Sequence, residues 1–136
     1  MQATIRVILA GLLAGVVAAC GVTSPSDLKT DTWSDSVAPG SASGQFIFNN
    51  GKTGEVIVKI TALSPDTGAS LTFQYGAPAT LNNQVGCAFQ PFPSILGLNR
   101  GTLDTQLPAG DYCVQMSDPA GALPRTQTFT ATIQHQ

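Results

Sequence analysis

The sequence predicts an all-β fold: a single antiparallel β-sandwich, Ig-like or jelly-roll-like, of about seven or eight strands, set behind an N-terminal signal helix and a short linker. Three observations predict it. Apolar residues recur at period two in several short runs, the spacing that places alternate side chains on one face of a strand. Clusters of Gly, Pro, Asn and Asp separate those runs, with 14 Gly and 9 Pro in 136 residues. Charge is sparse, at 10% of residues, so uncharged Thr, Ser, Gln and Asn must fill the wet faces of the strands.

The elements follow in order. Trp33 to Val37 alternates weakly and reads as a first edge strand, with Trp33 as a core plug; Pro39 to Gly44 is a turn. Gln45-Phe46-Ile47-Phe48 is strand-like, and Asn49-Asn50-Gly51 behind it carries the Asn-Gly signal of a tight hairpin. The return strand, Glu55 to Leu63, has Val56, Val58, Ile60 and Ala62 on one face. Ser64 to Gly68 is a turn, and Leu71 to Tyr75 alternates again. Residues 76–100 read as one long Gly/Pro-rich loop, which in a compact domain is functional or needs a cross-link. Gly101 to Gln106 is a strand. In Asp111 to Met116, Tyr112, Val114 and Met116 share a face and Cys113 points the other way. The last strand, Gln127 to Ile133, turns Phe129, Ala131 and Ile133 inward and three threonines outward. Leu107-Pro108-Ala109-Gly110-Asp111-Tyr112 resembles a tyrosine corner, in which the phenol bonds backbone upstream; a plain inward aromatic is the other reading of Tyr112.

Ahead of this domain, Arg6 precedes an uncharged run, Val7 to Ala19. A positive start, an apolar stretch and small residues at its end make a secretory signal peptide. The run is shorter than the ~18–20 apolar residues that cross a bilayer. Val17-Ala18-Ala19-Cys20 resembles the lipobox of bacterial lipoproteins. The resemblance implies cleavage before Cys20, lipid on its sulfur and an acylated, membrane-anchored N-terminus. Gly21 in place of an acidic residue then implies the outer membrane. Ordinary cleavage after Ala19 would leave Cys20 a plain thiol. The chain has three cysteines, Cys20, Cys87 and Cys113. An odd count in an exported protein asks for a use for one of them. Lipid on Cys20 supplies it and leaves Cys87 and Cys113 as a disulfide, tying the 76–100 loop across the sheet. The organisation is therefore 1–19 signal peptide, 20–31 lipidated cysteine and tether, and 32–136 sandwich.

From about Thr32 onward the chain also resembles the pre-peptidase C-terminal (PPC-like) β-sandwich domains of secreted bacterial proteins. Phe46-Ile47-Phe48, Gly54 to Ile60, Pro108 to Met116 and a closing strand ending in Ile133 carry the likeness. It implies a sandwich fold and a link to surface or polymer binding. These segments encode strands and one turn, and no peptidase domain accompanies them.

The chain offers little chemistry. A formal net charge of −2 with no basic cluster argues against nucleic acid. The one histidine, His135, lies at what reads as a fraying end, a poor base for a Ser-His-Asp triad. Gly40-Ser41-Ala42-Ser43-Gly44 has the outline of a nucleophile elbow but Ala42 where the serine belongs. Glu55 stands alone in a strand, and no Cys/His spacing suits zinc. Asp66 and Asp118 sit in turns, where calcium is one use and backbone hydrogen bonding the more economical one. The best binding candidates are Phe89 and Phe92, beside Pro91 and Pro93. They stack on a sugar ring or anchor a partner, or else roll inward as a satellite core, and the cost of exposing Phe favours the second. The expectation is an exported, membrane-anchored, non-catalytic module binding envelope protein or glycan, without cofactor or metal. The rivals are a purely structural envelope lipoprotein and a small secreted hydrolase.

Overall fold

A computed structural model describes residues 28–136; the signal segment, Cys20 and most of the tether lie outside the described residues. Nine strands form two antiparallel sheets: β1 (Lys29–Val37), β2 (Phe46–Asn50), β3 (Gly54–Ser64), β4 (Ser70–Leu81), β5 (Gln84–Phe89), β6 (Ser94–Gly97), β7 (Leu103–Leu107), β8 (Gly110–Ser117) and β9 (Gln127–His135). The first sheet runs β1-β9-β3-β7, and the second β2-β8-β4-β5, with β6 also on β4. The all-β sandwich is as expected, with strands added inside 76–100.

The core lies between the sheets and is built from the predicted faces. Val56, Val58 and Ile60 of β3, Leu71 and Phe73 of β4, Val114 and Met116 of β8, and Phe129, Ala131 and Ile133 of β9 are all buried. Each large aliphatic or aromatic side chain removed from water contributes about 1.5–3 kcal/mol. Trp33 is buried as expected, edge-on to Phe129 at 4.7 Å between ring centroids and stacked on Phe46 at 5.9 Å. β1 stands at the edge of its sheet.

Two local readings are corrected. Asn49-Asn50-Gly51 is not a hairpin turn: β2 pairs with β8 while β3 pairs with β7 and β9, so the segment crosses from one sheet to the other. The reason is Asn50. Its buried amide donates to the carbonyls of Leu107 and Pro108, and its oxygen accepts the Gln136 N–H at 3.0 Å. A residue committed to three backbone groups of distant residues is not free to take the left-handed conformation of a tight hairpin. Ala62 is exposed rather than inward, because a bulge between Ile60 and Ala62 shifts the alternation and hands the core position to Leu63. Thr61, the extra residue, donates its hydroxyl to the Thr130 carbonyl.

The chain end is also firmer than its sequence suggests. His135 and Gln136 are buried; the His135 Nε2 lies 3.0 Å from Asp31 Oδ2. Tyr112 does form a tyrosine corner, its hydroxyl donating to the Pro108 carbonyl at 3.1 Å.

Candidate binding surface

The two sheets present different outer faces. On the first, Thr30, Thr32, Ser34 and Ser36 of β1 stand beside Thr128, Thr130, Thr132 and Gln134 of β9. On the second, Ile47 of β2 lies opposite Cys113 of β8, Gln74 of β4 opposite Gln115, and Thr72 opposite Ile95 of β6. These are the alternates of Phe48, Val114, Phe73 and Leu96, which face the core. The large apolar side chains exposed among the described residues are Ile47, Val85, Phe92 and Ile95. All four belong to the second sheet or its connections.

An arm folds over this face. The sequence reads residues 76–100 as loop; instead β4 continues to Leu81 and returns as β5. Asn82 and Asn83 make the turn with φ of 50° and 62°, the pair of positive values that a two-residue type I′ hairpin needs. In a flat sheet β5 is two strand spacings, about 9–10 Å, from β8. The Cα atoms of Cys87 on β5 and Cys113 on β8 are nevertheless 5.9 Å apart, joined by a disulfide. The hairpin must therefore bend out of the sheet and lie across it. Gly76 is where this happens: a Cβ there would sit 2.0 Å from the Ala88 carbonyl oxygen and 2.8 Å from Phe89 Cα. Only a residue without a side chain admits so close a backbone. The Gln90 N–H then closes on the Tyr75 carbonyl at 2.8 Å. Cys113 is fully buried although it points away from the core, because the arm covers it. The predicted disulfide is present, across a bent strand rather than a loop.

Phe89 and Phe92 separate. Phe89 is half-buried opposite Gly76. Phe92 is 85% exposed between Pro91 and Pro93, so the inward satellite core is corrected. The chain bends at Pro91 and Phe92 in the short link from β5 to β6. An exposed Phe forgoes about 1.5–3 kcal/mol of burial and costs little conformational entropy to order against a partner.

The other sequence candidates are absorbed into structure. Both His135 ring nitrogens lie at hydrogen-bond distance from acceptors, Nε2 from Asp31 and Nδ1 from the Gln136 carbonyl at 3.3 Å. The Ser43 hydroxyl donates to the Gly44 carbonyl and accepts the Met116 N–H. Ser41 bonds Ala38, and Asp66 accepts the Gly68 N–H. Asp118 is buried, with one carboxylate oxygen accepting from Leu123 and Gly40 and the other from Ala122. The Leu123 N–H foremost, against the opposing effect of burial and aided by Ala122 and Gly40, holds its carboxyl below the usual carboxylate range. Its oxygens are thus spent on backbone. No group of three His, Cys, Asp or Glu side chains that could hold a metal ion occurs among the described residues. An open cleft of about 280 Å³ lies beside the β3 bulge, lined by Lys59, Ile60, Thr61, Asn99, Gly101 and Thr102. Its one ionisable side chain, Lys59, has no acidic partner in the lining with which to shuttle a proton.

Sequence reasoning missed Ile47, Ile95, Gly76 and the Asn82-Asn83 turn. The turn was readable, since two adjacent Asn between short runs favour positive φ. Gly76 carried no distinguishing signal. No protein-family model and no curated protein matches this chain.

Proposed function

We propose that this chain is an exported bacterial envelope lipoprotein, anchored through Cys20, whose sandwich is a non-catalytic module binding envelope protein or glycan. The binding surface in this reading is the outer face of the second sheet together with the Pro91-Phe92-Pro93 link. One observation carries it: every large apolar side chain exposed among the described residues belongs to the second sheet or its connections, and none to the first sheet. Random exposure does not sort by sheet, and exposed apolar side chains concentrated on one part of a domain mark contact sites. The arm adds rigidity, since a disulfide and a hairpin ladder hold the surface in one shape before any partner arrives. The likeness to PPC-like sandwiches and the tripeptide before Cys20 support the same reading.

The test is capture from envelope extract by the full chain, compared with a Phe92→Ala/Ile95→Ser variant. Loss of specific, reproducible partners with unchanged melting is expected. Equal capture by both proteins would refute the assigned surface. The anchor is tested separately by mass spectrometry of the mature N-terminus, where an unmodified Cys20 would end the lipoprotein reading.

A further inference from the structure

The free edges of the two sheets are protected unequally. β2 and β7 are five residues long, and short edges offer less to a pairing strand. The edge made by β5 and β6 is broken by Pro91 and Pro93 and by the bend at Gly76. β1 is nine residues long, pairs residue for residue with β9 from Lys29 to Val37, and has no bulge, Gly or Pro. Such an edge is a template for another strand unless something blocks it.

Which of its backbone groups are free follows from two contacts. The Thr130 carbonyl accepts the Thr61 hydroxyl, so even-numbered residues of β9 turn their backbone groups toward β3 and odd-numbered ones toward β1. In the register Asp35 to Phe129, Trp33 to Ala131 and Asp31 to Ile133, the odd residues of β1 are then the ones bonded to β9. The even residues, Thr30, Thr32, Ser34 and Ser36, turn their backbone groups outward. Consistently, the Ser36 N–H donates to Asp35 Oδ1 at 2.8 Å, which takes position 36 out of play. Three outward positions therefore stay open among the described residues, at Thr30, Thr32 and Ser34, and their centre is Thr32.

We propose that this edge pairs with the same edge of a second copy of the chain, antiparallel, about a twofold axis at Thr32. Centring on Thr32 uses all three outward positions: Thr30 with Ser34 of the copy, Thr32 with Thr32, and Ser34 with Thr30, for about six backbone hydrogen bonds. The same register sets Lys29 opposite Asp35 at both ends. Lys29 is exposed and without an ion-pair partner among the described residues. Asp35 keeps lone pairs beyond those used by the Ser36 and Gly44 N–H groups. Opposite charges directly across a strand pair favour it, as do Thr-Thr and Thr-Ser pairs. The sequence Lys-Thr-Asp-Thr-Trp-Ser-Asp thus places opposite charges at its two ends, about its middle residue. Phe46 of β2 is half-buried and stacked on Trp33 of β1. The contact is small, and attachment of both copies to one surface raises its occupancy through effective concentration.

The experiment uses the full chain in detergent, with cysteine placed at position 30, 32 or 36 in turn. Directly opposed residues in a hydrogen-bonded pair have Cα atoms about 5.5 Å apart, within disulfide reach, whereas position 30 is roughly 13 Å or more from its own copy. Mild oxidation is expected to cross-link Thr32→Cys chains and leave Thr30→Cys and Ser36→Cys chains single. Lys29→Glu is expected to weaken association about threefold to tenfold at low salt. Thr32→Pro removes an outward N–H without touching the β9 ladder and is expected to abolish association. If Thr32→Pro fails to fold, the cross-linking pattern still decides. A chain that sediments as a monomer at every concentration, equal cross-linking from positions 30 and 32, or an edge occupied only by a different protein would overturn the proposal.

Discussion

The outer faces of the two sheets are made from the same kind of strand and differ in what covers them. The first is a row of threonines and serines open to water. The second carries Ile47, Ile95 and a disulfide-bound arm that buries Cys113 completely. β8 is consequently buried on both faces at Cys113 and Val114, while β1 and β9 are buried on one. A sheet face becomes a specific surface when the chain spends backbone on it: here a bent hairpin, a glycine and a cross-link.

The difference between the two faces depends most on the cross-link. Replacing Cys87 and Cys113 by serine is expected to cost about 3.5 kcal/mol in the chain-entropy model for a separation of this length. Urea unfolding of oxidised parent and variant measures it. A loss below about 1 kcal/mol would mean that the arm is held by its hairpin ladder alone. Gly76→Ala comes next, at about 3 kcal/mol, because its methyl meets the Ala88 carbonyl rather than a movable side chain. Its companion readout is slower or incomplete formation of the Cys87–Cys113 bond.

A third experiment probes what joins the two sides rather than what separates them. Asp118, just beyond β8 of the second sheet, accepts the N–H of Gly40, just beyond β1 of the first. Its carboxyl is lowered in the folded state. Its stabilisation is therefore complete above the unfolded value, about 3.9, and is lost as pH falls through the lower folded value. Melting curves between pH 7 and pH 2 are expected to show this acid-side loss, and Asp118→Asn is expected to flatten it. The smallest effect is on the exposed apolar residues of the second sheet and its connections. Phe92→Ala and Ile95→Ser are expected to shift stability by no more than about 0.5 kcal/mol, as surface changes do, while changing what the protein captures.

Much of the strand pattern was legible because period-two alternation is local. Val56-Val58-Ile60 and Phe129-Ala131-Ile133 needed no knowledge of their neighbours, whereas the corner at Tyr112 was one of two readings until its hydroxyl was seen to donate to the Pro108 carbonyl. What failed did so for non-local reasons. Asn49-Asn50-Gly51 has the local chemistry of a hairpin, but Asn50 is claimed by carbonyls more than fifty residues away. Residues 76–100 read as loop because Gly76, Pro78 and Gly86 dilute the alternation of a hairpin that is bent and lies near an edge. Phe92 reads inward from the cost of exposing it, but it stands exposed at a bend between β5 and β6.

The fold class and the inward faces of the long strands follow from periodicity and turn chemistry, which are properties of the chain alone; the pairing of Cys87 with Cys113 follows from the cysteine count only if Cys20 has another use. Which strands share a sheet, that the cross-link folds an arm over one face, and that the exposed apolar side chains belong to the second sheet or its connections appear only in the folded molecule. Those outcomes depend on contacts between residues far apart in sequence, where the space left at Gly76 and the carbonyls offered to Asn50 exist only once the sandwich has closed.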